Sequence, residues 1–363
     1  ETKTDTVLLI LVLLLAVFGL VMLFSISEYN GRVRFGDSAY YFKKQLFATA
    51  LGLMTMYIVA ETDYRFLVRL APAAYLLSMG LSTAVLFVGQ EINGSKRWLN
   101  FGPLSFQPSE FAKAAVILFL TWQIQGSKKI TAGFWFMCRT MLTLLPIVGL
   151  VGSNNLSTAI IILGIGVILI FISDPGYARF IGMGVTGAAV IAVFLAAESY
   201  RLERLAIWRN PEKYEKGFQT IQGLYAIGSG GLFGRGFGSS LQKLGFVPEA
   251  QNDMIFSIIC EELGIFGGIF VLILFGYLLY RLFFIAQNAP DLFGSLIVTG
   301  IFIHIALQVI LNIAVVLNLM PNTGVTLPFI SYGGTSVAIL LSEMGLVLNV
   351  SRQIRFDAAH PIE

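Results

Sequence analysis

The stretch VLLILVLLLAVFGLVMLF, Val7–Phe24, holds no charged or polar side chain. As a helix it would be about 27 Å long, close to the ~30 Å hydrocarbon thickness of a bilayer. A run this long has no partner in water and a natural one in lipid. It is also longer than the apolar core of a secretion leader, and Glu1 and Asp5 stand where a leader would be basic, so it reads as a retained span.

The rest of the chain follows the same rule. Of 363 residues 56% are apolar and 12% charged, with mean hydropathy +0.79; soluble domains carry roughly 25% charge. Apolar segments recur near 6–26, 45–60, 70–89, 108–124, 140–152, 157–172, 180–197, 253–280, 293–317 and 334–350. Pro146 is expected to kink the fifth, which is short. The expectation is an all-α polytopic membrane protein: one domain, 1–363, with about ten transmembrane helices. An even number puts both termini on one side. Lys and Arg of the short loops favour the termini inside by ten to six. Segment 198–252 is then a long outer loop, although it carries seven cations of its own.

Composition also excludes. A net charge of +3 without a basic cluster argues against nucleic acid. Cys138 and Cys260 sit in or beside apolar segments and suggest neither a disulfide framework nor a metal site. The run GSGGLFGRGFG, residues 228–238, invites a phosphate-loop reading but lacks G-K-[ST] and a flanking strand.

Ionisable groups at membrane depth are costly and usually functional, and four clusters hold the candidates. In the first, Lys96 and Arg97 precede Gln107-Pro-Ser-Glu110, and Pro108 suits a first helical turn. Glu110 and Lys113 then share a helix face, either as a structural ion pair or as part of an anion site. The second is Tyr200-Arg-Leu-Glu-Arg204. Arg201 and Arg204 could rest on lipid headgroups, or clamp a diphosphate through paired guanidinium donors. The third, Val247–Phe256, contains Glu249 and Asp253; Asp253 could cap the following helix, serve as a catalytic base, or both. Glu261 and Glu262 lie deeper and would be neutral unless cations pair with them. The fourth, Met320–Thr335, combines two prolines, three glycines and several hydroxyls, Ser331 among them. Irregular backbone at membrane depth must be buried in protein or line a cavity. His304, Gln308 and Asn312 form an i, i+4, i+8 stripe best explained as a hydrogen-bond seam between helices.

At these segments the chain resembles the SEDS proteins (shape, elongation, division and sporulation), which include RodA, FtsW and SpoVE. The pieces are SKRWLNFGPLSFQPSEFAK (95–113), NNLSTA (154–159), YRLERLAIWRNP (200–211), GFQTIQGLYAIGSGGLFGRGFG (217–238), FVPEAQNDMIFSIICEELG (246–264) and GVTLPFISYGGTS (324–336). The resemblance implies a ten-helix fold with a large extracytoplasmic loop between helices 7 and 8. It implies peptidoglycan glycosyltransferase activity in the bacterial cytoplasmic membrane, using lipid II or a lipid-linked glycan strand. The implied partner is a class B penicillin-binding transpeptidase. The family's essential aspartate falls on Asp253, its arginine before Trp on Arg97, and its Glu and Lys on Glu110 and Lys113. Arg201, Arg204, Glu249 and Ser331 complete the candidate substrate-binding set. The wording of 228–238, 248–253 and 329–336 leans toward the FtsW/SpoVE branch.

Departures are Gln251-Asn252 where the family has His-Thr, no proline before Asn155-Leu156-Ser157, and Met320-Pro-Asn322. No protein-held metal is expected, although a divalent cation (Mg or Mn) could assist at the diphosphate. The rival functions are a lipid II flippase, which would use the intramembrane Glu110, Lys113, Glu261, Glu262 and Glu343, and a non-catalytic scaffold for a transpeptidase. An O-antigen type polymerase or ligase would share the architecture but not these motifs.

Overall fold

A computed structural model describes residues 4–92, 95–101, 104–127, 133–197 and 199–354. In chain order the helices are α1 (Thr6–Phe35), α2 (Tyr40–Glu61), α3 (Tyr64–Arg69), α4 (Ala71–Val88), α5 (Pro108–Ser127), α6 (Phe134–Asn154), α7 (Leu156–Ser173), α8 (Tyr177–Ala197), α9 (Ser199–Arg209), α10 (Phe218–Gly230), α11 (Ile255–Gln287), α12 (Leu292–Val316) and α13 (Gly334–Arg352). Three short antiparallel strands, β1 (Gln90–Ile92), β2 (Ser95–Phe101) and β3 (Leu104–Phe106), separate α4 from α5.

Ten of these helices have eighteen residues or more and match the ten expected spans one for one. Eight contain an eighteen-residue stretch apolar enough to cross a bilayer on composition alone. The other two, α2 and α5, carry Lys43 and Lys44, and Glu110 and Lys113, near their starts. The helix α6 runs through Pro146 and is 21 residues long, so the short fifth span of the sequence reading is a full one.

Ion pairs define one end of the bundle. Asp5, the N-cap of α1, pairs with Arg281 of α11. Arg352 of α13 reaches Glu61 of α2 at 2.6 Å and Thr4 at 2.7 Å. Arg65 of α3 binds Asp291, the N-cap of α12, at 2.7 Å. Both ends of the described chain therefore lie on one face. The strands, segment 199–254 and segment 317–333 gather on the opposite face.

Close packing centres on α13, the most buried span. A Cβ on Gly52 of α2 would come within 2.7 Å of Leu341, and one on Gly345 within 2.5 Å of the Met56 carbonyl. Small residues allow this approach in lipid, where dispersion contacts and not water exclusion hold helices together.

The span α11 is broken. Gly264 has φ 69°, ψ −168°, a conformation essentially restricted to glycine, between a short helix from Ile255 and a long one to Gln287. The glycine-rich run 228–238 supplies the missing hydrogen bonds. Ile265 N donates to Gly231 O at 2.9 Å, Arg235 N to Glu261 O at 2.9 Å, and Gly236 N to Glu262 O at 3.0 Å. A Cβ on Gly230 would sit 2.0 Å from Cys260 O, and one on Gly234 2.2 Å from Glu262 O. The glycines are a backbone strap laid against a helix break.

Side chains secure the strap. Lys243 Nζ spends its three donors, each at 2.8 Å, on Ser25 Oγ of α1, Gly238 O and Glu262 Oε1. Glu261 accepts from Ser240 Oγ and from the backbone N–H groups of Leu241 and Gln242, with Arg235 3.7 Å away. Both buried glutamates thus have cationic neighbours.

Candidate functional site

The opposite face holds a cavity of about 800 Å³ between segment 204–221, Pro248, Asn318 and Asn322. Its walls combine aromatic rings (Trp208, Tyr214, Phe218), cations (Arg204, Lys213, Lys216) and amides (Gln219, Asn318, Asn322). Trp208 Nε1 donates to Asn318 O at 3.0 Å and Arg204 Nη1 to Asn322 O at 3.1 Å, which closes α9 onto segment 317–333.

Asp253 lies behind this wall, 7% exposed. It does not cap α11: the helix starts after Met254, which makes no side-chain cap. Its carboxylate accepts from Gln219 Nε2 at 3.3 Å and from Asn322, both cavity residues. Burial is the largest influence on its acidity, and nearby Glu249 adds to it; Asn322 and Arg204 oppose it. The balance pushes the carboxyl up to about 6. Such a group is ionised at neutral pH and far better as a base than a solvated carboxylate.

The backbone of Asp253 is held as firmly. Asn312 Nδ2 of α12 donates at 2.8 Å to both Asp253 O and Val325 O. Gln251, standing where the resemblance has His, is fully buried. It accepts from Asn30 Nδ2 of α1 at 2.8 Å, and its carbonyl accepts from Tyr332 N at 2.9 Å.

Other expected residues separate into groups. Arg204 shares the cavity with Asp253's partners. The Arg201 side chain lies outside what the structure describes. Glu249, with φ 53°, pairs with Arg34 at the end of α1 (3.3 Å) and accepts from Asn252 Nδ2 at 2.5 Å. Arg97 stands on β2, where its Nε donates to Asn154 O at 2.9 Å beside a narrow crevice lined by Ser109 and Asn155. Glu110 and Lys113 form a buried ion pair at 3.0 Å. Ser331 closes a turn: its Oγ accepts from Leu327 N at 2.9 Å, and its carbonyl accepts from Gln45 Nε2 of α2 at 3.2 Å.

The seam expected on α12 is present and longer than its three residues. Lys113 Nζ and His304 Nε2 both meet Gln308 Oε1, at 3.0 and 2.9 Å, and Gln308 Nε2 donates to Thr326 O at 3.1 Å. His304 Nδ1 lies 2.8 Å from Glu343 Oε2 of α13. Sequence reasoning missed Gln219, in the first turn of α10, and Asn318 and Asn322, in segment 317–333; uncharged amides carry no local signature there. Among the described residues no three His, Cys, Asp or Glu converge as a metal cage would require.

Comparison with known proteins agrees with this architecture. The sequence model of the FtsW/RodA/SpoVE family, described as cell cycle protein, matches residues 5–356. Stage V sporulation protein E of Bacillus subtilis is 38% identical over 368 residues, covering 98% of this chain and 99% of that one. A probable peptidoglycan glycosyltransferase FtsW of Trichlorobacter lovleyi is 34% identical, covering 97% and 94%. Among solved structures, a chain of a peptidoglycan synthase complex described as coordinating polymerization and crosslinking superposes with TM-score 0.82 at 32% identity, covering 98% and 99%. The rod shape determining protein RodA of Thermus thermophilus gives TM-score 0.74 at 30% identity with the same coverage. A match along nearly the whole chain, in sequence and in fold, leaves one assignment: this protein belongs to the FtsW/RodA/SpoVE family of polytopic membrane proteins.

Proposed function

We propose that this chain is a peptidoglycan glycosyltransferase that polymerises lipid II on the extracytoplasmic face, with Asp253 as its base. The observation that carries the reading is Asp253 itself: a buried, weakly acidic carboxylate held by two amides of an 800 Å³ polar and aromatic cavity at one end of the bundle. The acceptor sugar's hydroxyl gives its proton to Asp253 as its oxygen bonds to the donor's anomeric carbon. The bond from that carbon to the polyprenyl diphosphate breaks, and its electron pair leaves on the phosphate oxygen. One displacement inverts the anomeric centre. The leaving group needs positive charge more than a proton. Arg204 is the cation closest to this chemistry, with Arg201 on the same helix and Arg97 at the rim of the neighbouring crevice.

Glu110 and Lys113 are spent on each other and on Gln308, so we place them in support of the site. A divalent cation, where the reaction uses one, would be held chiefly by the substrate's phosphates, as Mg²⁺ commonly is. The flippase reading draws on the buried Glu343 and Lys113, but Glu343 is paired with His304 and Lys113 with Glu110 and Gln308, while the cavity sits at one face. A class B penicillin-binding protein is the partner that fits, because a polymerised strand must then be crosslinked.

The test is polymerisation of purified lipid II, resolved as glycan strands on gels. Asp253→Asn should make none while remaining folded; normal strands from that variant would remove Asp253 from the mechanism.

A further inference from the structure

The polar chain on α12 contains a titratable pair that the reaction does not use. His304, Glu343 and Lys113 are each at most 2% exposed, deep among apolar helices. The atoms present dictate the protons. Lys113 Nζ can only donate and Thr326 O can only accept, so Gln308 must turn Oε1 toward Lys113 and its NH₂ toward Thr326. That same Oε1 faces His304 Nε2 at 2.9 Å, so Nε2 must carry a hydrogen. Nδ1 then meets the Glu343 carboxyl at 2.8 Å with one hydrogen between the two groups, whichever of them owns it. The pair is neutral as a unit. The ionisable side chains facing it are Glu110 and Lys113 of α5, themselves an ion pair. A cluster of zero net charge is the form that burial in lipid favours.

We propose that His304 and Glu343 are positioning residues: the proton they share locks the orientation of Gln308, which fixes Lys113 and the Thr326 carbonyl directly beneath the Asn312 clamp on Val325 and Asp253. If Nδ1 took the hydrogen with no carboxyl beside it, Nε2 would present a lone pair to Oε1. Gln308 would then have to rotate, setting NH₂ against the Lys113 ammonium and Oε1 against the Thr326 carbonyl. Segment 325–326 would lose one of its two adjacent side-chain tethers, and Asp253 shares the other.

Two experiments test this. The first is ¹⁵N NMR of the imidazole in the detergent-solubilised full chain. The chain has two histidines, His304 and His360, so a His360→Gln background leaves one signal. The expected result is a protonated Nε2 throughout pH 6–9; a bare Nε2 overturns the proposal without any variant of the cluster having to fold. The second measures turnover per monodisperse protein. Glu343→Gln keeps every bond, since its NH₂ can donate to Nδ1, and should polymerise within about threefold of the parent. Glu343→Leu cannot, and its kcat should fall about tenfold to a hundredfold at a lipid II KM changed less than about twofold, the range for a lost hydrogen bond to a charged group. A folded Glu343→Leu with parental kcat, or a Glu343→Gln as slow as Glu343→Leu, overturns it; the latter would mean that a titrating carboxylate is required. The activity arm rests on the transferase reading. An active Asp253→Asn would sink that reading alone, because the NMR result would still stand or fall by itself.

Discussion

Asp253→Asn should make the protein more stable while it stops polymerisation. Asp253 precedes α11, in the segment facing the cavity, and burial raises its carboxyl from 3.8 to about 6. At 1.36 kcal/mol per pH unit, keeping it ionised in the fold costs up to about 3 kcal/mol. The sign follows from linkage. The folded-state value lies above the unfolded one, so this group's stabilising contribution is complete below about pH 3.8 and lost as pH rises through about 6. An asparagine carries no such cost, and its Oδ1 can still accept from Gln219. The variant should therefore gain up to about 3 kcal/mol at pH 7.5, about half of that at pH 5, and nothing below pH 3.8. At ~2 °C per kcal/mol this is a Tm rise of up to about 6 °C at pH 7.5. The buried Cys260 provides the assay: a thiol-reactive dye that fluoresces when the thiol is exposed, scanned in detergent at pH 5, 6 and 7.5. A Tm at or below the parent's at pH 7.5, or a gain of equal size at every pH, would refute the account of Asp253 as a carboxylate held against its own solvation.

The same shift sets the acid limb of catalysis: polymerisation should fall tenfold per pH unit below an apparent pKa of about 6, read from initial rates across pH 4.5–8. Arg204→Ala should lower kcat by about tenfold or more, with Arg204→Lys partly restoring it, because lysine keeps the charge but not the fork that holds Asn322 O; strand yield against time measures it. Gly264→Ala should abolish the monodisperse peak in size-exclusion chromatography, since its Cβ would lie 2.3 Å from Leu232 O at a φ of 69°.

Span number was legible because apolar length is a property of sequence alone, and the ten long helices fall where apolar runs do. Span ends were not. The first helix runs nine residues past the expected 26, to Phe35, carrying Ser27 and Asn30 inside the protein. Ser27 Oγ bonds Leu23 O, and Asn30 bonds Gln251, so polar side chains that read as the edge of the membrane are satisfied internally. The strands β1 and β3 were missed because three-residue segments leave no period to detect, and the seven-residue β2, SKRWLNF, does not alternate apolar with polar residues. Asp253 and Arg204 could be singled out as charges at a membrane boundary. Gln219 and Asn322 could not, since what makes them part of the site is the Asp253 carboxylate 34 positions from one of them. Asn312 was visible as a polar interruption of an apolar helix, but only the fold shows that it grips Asp253's own carbonyl.

The break at Gly264 explains how a membrane helix can present a catalytic side chain accurately. An unbroken span from 255 to 287 would tie Asp253 to the lipid-set tilt of a long rod, about 50 Å at 1.5 Å per residue. The break detaches the first turns. Those turns are then held by the strap's backbone at Glu261 and Glu262, by Lys243 and Ser25 from two other elements, and at their start by Asn312. None of these anchors depends on bilayer thickness. Gly230 and Gly234 are required because no side chain fits between strap and helix at either, and the two glutamates accept the donors that segment 240–243 presents, Leu241 and Gln242 N–H at Glu261 and Lys243 Nζ at Glu262. A sequence feature that suggested a phosphate loop and a pair of acids that suggested a translocation path are thus one device, and what it fixes in place is the carboxylate at 253.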